Sequence, residues 1–150
     1  MAKESKRQSG SRRPTLAPLP NLPAVFLDAT NATESLVASL TAKRIKSEKI
    51  TDHFAANTPD HVWLPFVGKK GWLILTKDSK FKYRPTERIA FINAHARAFV
   101  IVTANMSGEQ IADMVATAIP EMKKFIRDNP APFIAKIHKK GHQVKIVKIL

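Results

Sequence analysis

Only 12 Asp and Glu stand against 25 Lys and Arg in this 150-residue chain, so each acid is a candidate for chemistry. Three of them sit where chemistry is usually done. Asp28 ends the apolar run Ala24-Val25-Phe26-Leu27, and Asp78 follows Trp72-Leu73-Ile74-Leu75 and then Thr76-Lys77. Asp60, in Thr58-Pro59-Asp60, reads as the start of a helix, with Thr58 as cap and Pro59 at the first position. Carboxylates gathered at one sheet edge repel each other unless a cation lies between them. Hard divalent ions such as Mg²⁺ or Mn²⁺ take oxygen ligands of this kind. Ions held so hydrolyse phosphodiesters by activating a water and stabilising the leaving oxygen. The same positions also suit plainer roles. An aspartate after a strand is often a turn former, and Asp60 can act simply as a charge at a helix N-terminus.

Other chemistries have less support. The chain has no cysteine, which removes disulfide frameworks, thiolate nucleophiles and cysteine zinc sites. His53, His61, His95, His138 and His142 show no His-x-x-x-His step. There is no Gly-x-Ser-x-Gly nucleophile elbow and no glycine-rich phosphate loop among the five glycines.

The elements that must position the acids follow from hydropathy. Ala24 to Leu27, Trp72 to Leu75 and Phe99 to Val102 are continuous apolar runs of strand length. Between them, Asn31 to Leu40, Thr58 to Val67, Glu87 to Ala94 (with Ile89 and Ile92 inward) and Ser107 to Asp128 carry helical spacing. Ser107-Gly-Glu-Gln110 has the pattern of a capping box, and Pro120 is expected to kink or split the helix it opens. Arg44 to Ile50 is expected to be a short strand. Pro132 to His138 and Val144 to Leu150 read as an antiparallel pair turning at Gly141. Continuous apolar strands separated by helices imply a parallel sheet covered on both faces. Sites in such sheets lie at the carboxyl ends of the strands, which brings Asp28 and Asp78 to one edge.

The charge balance bears on partners. A formal net charge of +13 points to a polyanion. Residues 1–23 read as a disordered, basic, Pro-containing arm, with the domain proper at 24–150. The domain keeps 20 basic and 11 acidic residues, densest at Lys77 to Arg88 and at Lys136 to Lys148. Phe81 and Tyr83, interleaved with Lys80, Lys82 and Arg84, are candidates for stacking on single-stranded RNA. No apolar run reaches the roughly 20 residues of a membrane span and no signal peptide is evident, so a cytoplasmic protein is expected.

Three stretches together resemble the PIN-like domain family of VapC-type toxins: Phe26-Leu27-Asp28, Thr58-Pro59-Asp60-His61-Val62-Trp63-Leu64-Pro65, and Gly71-Trp72-Leu73-Ile74-Leu75-Thr76-Lys77-Asp78. Arg84-Pro85-Thr86-Glu87-Arg88, Phe99-Val100 and Pro132-Phe133-Ile134-Ala135 continue in family order. The resemblance implies a three-layer α/β/α domain with a mostly parallel central sheet, here ending in a C-terminal β-hairpin. It implies a metal-dependent endoribonuclease, the toxin of a toxin–antitoxin pair, whose cognate antitoxin occludes the site. Asp28, Asp60 and Asp78 would be Mg²⁺ or Mn²⁺ ligands, and Thr76 would orient a ligand or the attacking water. Lys77, Lys80, Lys82, Arg84 and Arg88 would contact RNA phosphates. The expected products carry a 5′-phosphate and a 3′-hydroxyl. One step departs from the family pattern: Asp28-Ala29-Thr30-Asn31 stands where a tighter Asp-x-Asn or Asp-x-Asp step is usual. Thr30 cannot replace a carboxylate, which leaves Asn31, Glu34 and Asp52 to complete a ligand set. The alternative is a non-catalytic module of the same fold that binds RNA or protein. Homodimerisation stays open.

Overall fold

The computed structural model describes residues 22–150, apart from Thr30, Ser79, Thr103, Ala104, His142 and the side chains of Lys80 and Lys140. Residues 1–21 of the expected arm lie outside the described residues. Leu22 already packs against the core.

The elements in chain order are β1 (Val25–Leu27), α1 (Glu34–Ala42), β2 (Ser47–Lys49), a 3-10 turn (Ile50–Asp52), α2 (Asp60–Lys70) and β3 (Leu73–Thr76). There follow α3 (Lys80–Tyr83), α4 (Pro85–Asn93), β4 (Arg97–Ile101), α5 (Gly108–Asp128), β5 (Phe133–Lys140) and β6 (Gln143–Lys148). They build one six-stranded sheet in the order β2-β1-β3-β4-β5-β6. All neighbours pair in parallel except the last, where β5 and β6 run antiparallel.

Strand alternation divides the core into two layers. Val25, Leu27, Leu73, Leu75, Phe99 and Ile101 face α1 and α5. Phe26, Ile74, Ala98 and Val100 face α2, α3 and α4. Both faces of β1, β3 and β4 are therefore buried, which is why these strands read as unbroken apolar runs. The three-layer arrangement agrees with the expectation from sequence.

Helix ends follow their chemistry. Thr33 Oγ1 accepts from the Leu36 backbone N–H at 3.1 Å and caps α1. The capping box at α5 forms on both sides: Ser107 Oγ accepts from Gln110 N–H at 3.1 Å, and Gln110 Oε1 accepts from Ser107 N–H at 2.8 Å. Gly71 closes α2 in the left-handed conformation, at φ 73°. The half-buried guanidinium of Arg97, whose pKa desolvation pushes down, donates to the Gly71 carbonyl at 2.5 Å.

Several local expectations are corrected. Pro120 does not split α5, because Ala112, Val115, Ala118, Ile119 and Met122 form one continuous buried stripe across it. Thr58 is not the cap of α2; Pro59 holds that place and Asp60 is the first helical residue. Ile89 and Ile92 are 60% and 36% exposed, and Phe91 is the buried residue of α4. Phe81 is 1% exposed and packs against Trp63 and Phe91, so it is core and not a stacking platform. Tyr83, 66% exposed, keeps that role open.

Gly108 fixes how α1 meets α5. A Cβ there would lie 2.6 Å from Leu36 N and 2.9 Å from Ser35 C, both backbone atoms at the capped end of α1. Backbone cannot swing aside, so Gly108→Ala is expected to cost about 1–3 kcal/mol by overpacking. Urea denaturation of the variant checks this.

Candidate active site

The strand order reverses between β1 and β3: the chain leaves β1 for β2 on one side, then crosses back to β3 on the other. In open parallel sheets, ligands bind beyond the carboxyl ends of the strands at such a point. Val25 pairs with Leu73 and Phe26 with Ile74. Continued two residues, that register sets Asp28, just after β1, level with Thr76, the last residue of β3.

Asn31 ties the two strand ends together. Its Nδ2 donates to Asp28 Oδ1 at 2.6 Å, and its backbone N–H donates to the same oxygen at 3.1 Å. Nδ2 also donates to Thr76 Oγ1, at 3.4 Å. Thr76 Oγ1 in turn accepts from the Asp78 backbone N–H at 3.1 Å. Asp28, Asn31, Thr76 and Asp78 thus form one hydrogen-bonded chain across the β1/β3 junction. The turn exists because an aspartate side chain readily accepts from backbone N–H groups just ahead of it.

Asn31 and Thr76 are 5% and 2% exposed, and buried polar groups are normally satisfied. Here two are incomplete. Oδ1 of the half-buried Asp28 takes both donors from Asn31, while Oδ2 has no partner among the described residues. Thr76 Oγ1 accepts twice, and its hydroxyl proton has no acceptor among the described residues. The unpartnered carboxylate oxygen of Asp28 is an oxygen donor of the kind a divalent cation takes.

The remaining candidates are spread along the same edge of the sheet. Asp60 lines a depression of about 250 Å³ with Pro59, His61, Thr86 and Glu87. Glu87, in the first turn of α4, was not singled out by sequence reasoning; its place just behind Pro85 at a helix start was the available signal. Asp52 ends the 3-10 turn after β2 and lines a groove of about 320 Å³ with Arg44, Lys46 and Lys49. Glu34 is exposed in the first turn of α1. Among the described residues no three His, Asp or Glu side chains gather into a group that could hold a metal. The structure therefore links the Asp28 carboxylate to the backbone of Asp78 through Asn31 and Thr76, and among the described residues it does not gather Asp28, Asp60 and Asp78 into one cluster. The departure at Thr30 lies outside the described residues.

Of the basic candidates, Lys77, Arg84 and Arg88 are exposed and Lys82 is half-buried. Lys82 Nζ lies 5.5 Å from the Tyr83 ring centroid, a cation–π contact. The side chain of Lys80 lies outside the described residues. Lys82, Arg84 and Arg88 lie on or beside α3 and α4, whereas Lys77 lines a small pocket with Asn31, Leu75, Thr76 and Ile101, toward the α1 and α5 layer.

The geometry makes Asn31 the residue that orients the Asp28 carboxylate. Partners that orient a ligating group typically change metal affinity or activity by 10–100-fold when removed. With Asp28 as a metal ligand, the role proposed below, Asn31→Ala is expected to raise the Mn²⁺ concentration for half-maximal RNA cleavage by roughly that factor. A purely structural role would lower stability and leave the Mn²⁺ dependence unmoved.

Among the described residues no helix is long and apolar enough to cross a membrane. No solved structure matches this chain. A Mycobacterium tuberculosis (strain H37Rv) protein carrying the provisional name ribonuclease VapC45 is 24% identical over 136 residues, covering 88% of this chain and 95% of that protein. The family model described as a PIN-like domain matches residues 23–103, just over half of the chain, and includes Asp28, Asn31, Asp60, Thr76 and Asp78. The chain belongs to the PIN-like domain family.

Proposed function

We propose that this chain is a metal-dependent endoribonuclease and the toxin of a toxin–antitoxin pair. At family level a toxin–antitoxin ribonuclease follows from the PIN-like match and from the ribonuclease name of its mycobacterial relative. The observation that supports the finer reading is the hydrogen-bonded chain from the Asp28 carboxylate through Asn31 and Thr76 to the Asp78 backbone, with Asp28 Oδ2 left without a partner among the described residues.

Asp28 and Asp78 would hold Mg²⁺ or Mn²⁺, with Asp60, Asp52 and Glu34 as the further oxygen donors on the same edge. When bound, the ion supplies Lewis-acid chemistry: it lowers the pKa of water and offsets charge on the phosphodiester. Asn31 holds the Asp28 carboxylate in one orientation by occupying Oδ1. Thr76 offers its hydroxyl proton to a water or ligand oxygen at the junction. Lys77, Lys80, Lys82, Arg84 and Arg88 hold phosphates, and Tyr83 offers a ring face for a base. A cognate antitoxin is the expected protein partner, and the cytoplasm the expected compartment.

A second reading draws on the lack of a three-carboxylate group among the described residues. In it the same surface binds RNA without cutting it. Purified protein incubated with mixed RNA in Mn²⁺, in Mg²⁺ and in chelator separates the two. The ribonuclease reading expects cleavage only with metal, and 5′-phosphate and 3′-hydroxyl ends. Intact RNA, bound but uncut in both metals, favours the binding module.

A further inference from the structure

The second basic segment of the chain has no role in the site described above. From Asn129 to Leu150 there are five lysines, two histidines and no acid. The structure folds most of this segment into the β5–β6 hairpin, which lies outside the region that the family model matches.

The two faces of the hairpin differ. Phe133, Ala135 and Ile137 of β5, with Val144 and Ile146 of β6, pack into the core layer under α5. The opposite face carries Lys136 and His138 from β5 and Lys145 and Val147 from β6. The ladder sets Lys136 opposite Val147 and His138 opposite Lys145. The chain's last residues run alongside Ile134, with Ile149 N–H donating to its carbonyl at 2.8 Å, and Ile149 and Leu150 pack against the core layer that Ile134 joins. Lys145 is exposed, Lys136 and His138 are half-buried, and Val147 and the neighbouring Val102 are 46% and 43% exposed.

His138 faces Lys145 across the ladder, a pair that disfavours the sheet when both are charged, and Lys136 lies diagonally beside them. Lys136, His138 and Lys145 have no acidic partner among the described residues. An external anion would relieve this. The position also fits. β5 runs parallel to β1, β3 and β4, so its carboxyl end and the Gly141 turn emerge at the edge that carries Asp28, Thr76 and Asp78. The open face lies on the same side of the sheet as α3 and α4, with Lys82, Tyr83, Arg84 and Arg88.

We propose that the open face of the C-terminal hairpin, formed by Lys136, His138 and Lys145, holds the phosphate backbone of the RNA strand flanking the cleavage point. This deepens the ribonuclease reading and rests on RNA being the substrate. RNA is favoured over an acidic protein because lysine is depleted at protein–protein interfaces and no aromatic anchor lies on this face. Backbone phosphates, by contrast, need only point charges.

The test is Lys136→Glu/Lys145→Glu in the full chain. Binding of a long, labelled, unstructured RNA is measured in chelator across a salt series. Working in chelator keeps the readout independent of catalysis, so a failed nuclease reading leaves this result interpretable. Affinity is expected to fall at least about tenfold, and the slope of log K against log salt to flatten by about 1.4, from roughly 0.7 per lost single-strand phosphate contact for two contacts. Lys69→Glu/Lys70→Glu, at the far end of α2, carries the same charge change at the opposite edge of the sheet and should keep the wild-type slope. The surface variant should melt like wild type; if it does not, Lys136→Gln/Lys145→Gln must still flatten the slope. An unchanged slope in both hairpin variants overturns the proposal. So does equal weakening by the control pair, which would reduce the effect to net charge. Intact RNA binding with loss of antitoxin binding also overturns it and assigns the face to the protein partner.

Discussion

Asp28→Asn is expected to lower RNA cleavage on the order of 10²–10³-fold while leaving fold and RNA affinity intact, the scale at which removing one charge-stabilising group usually acts. The substitution changes almost no volume. The asparagine oxygen can still accept from the Asn31 backbone and Nδ2, which now meet Oδ1 at 3.1 and 2.6 Å. What changes is the second oxygen, which has no partner among the described residues and becomes an NH₂ donor that repels a cation. Removing one negative charge from a chain of net charge +13 should leave RNA affinity equal or slightly higher. Initial cleavage rates at saturating Mn²⁺, alongside RNA binding, check both halves. Cleavage at the wild-type rate would remove Asp28 from the site.

The second large effect concerns stability. Trp63→Ala is expected to cost about 3–5 kcal/mol, the range for a fully buried aromatic. Trp63 is 1% exposed. Its ring centroid lies 5.0 Å from Phe26 on β1 and 6.2 Å from Phe81 on α3. It therefore joins the strand that delivers Asp28 to the short helix that follows Asp78. Its removal should lower the denaturation midpoint strongly and loosen both ends of the site. Trp63→Phe, which keeps a ring in the gap, should recover a large part of the loss. A small effect of Trp63→Ala on urea denaturation would mean that Phe26 and Phe81 are held by other contacts.

Much of this was legible in the residues, and the reasons are physical. β1, β3 and β4 are buried on both faces, so their apolar runs are unambiguous. α5 announces itself by its capping box, and the hairpin by the glycine at its turn, where φ is 64°. The acids after β1 and β3 came to one edge because parallel strands share their carboxyl ends. β2 was harder to bound, since a three-residue edge strand reading Ser-Glu-Lys carries no hydropathy signal. α3 is four residues long and has no period to detect. That short helix is why alternation misled at Phe81 and Tyr83: one rotates into the core and the other out. Ile89 and Ile92 were expected inward because apolar residues at helical spacing usually are. Phe91 takes the core position instead. Asn31 was legible as a polar residue near Asp28, but its role as the tie between Asp28 and Thr76 depends on the register of β1 against β3, and Asn31 and Thr76 are 45 residues apart in sequence. No local pattern encodes that.

The most direct test of the central claim is a Mn²⁺ titration by calorimetry of the wild-type chain and of Asp28→Asn/Asp78→Asn. The wild-type protein is expected to bind Mn²⁺, and the double variant, still folded by circular dichroism, is expected not to. Mn²⁺ binding of equal affinity in the double variant would contradict that claim, because the ion would then be held somewhere other than the junction of β1 and β3.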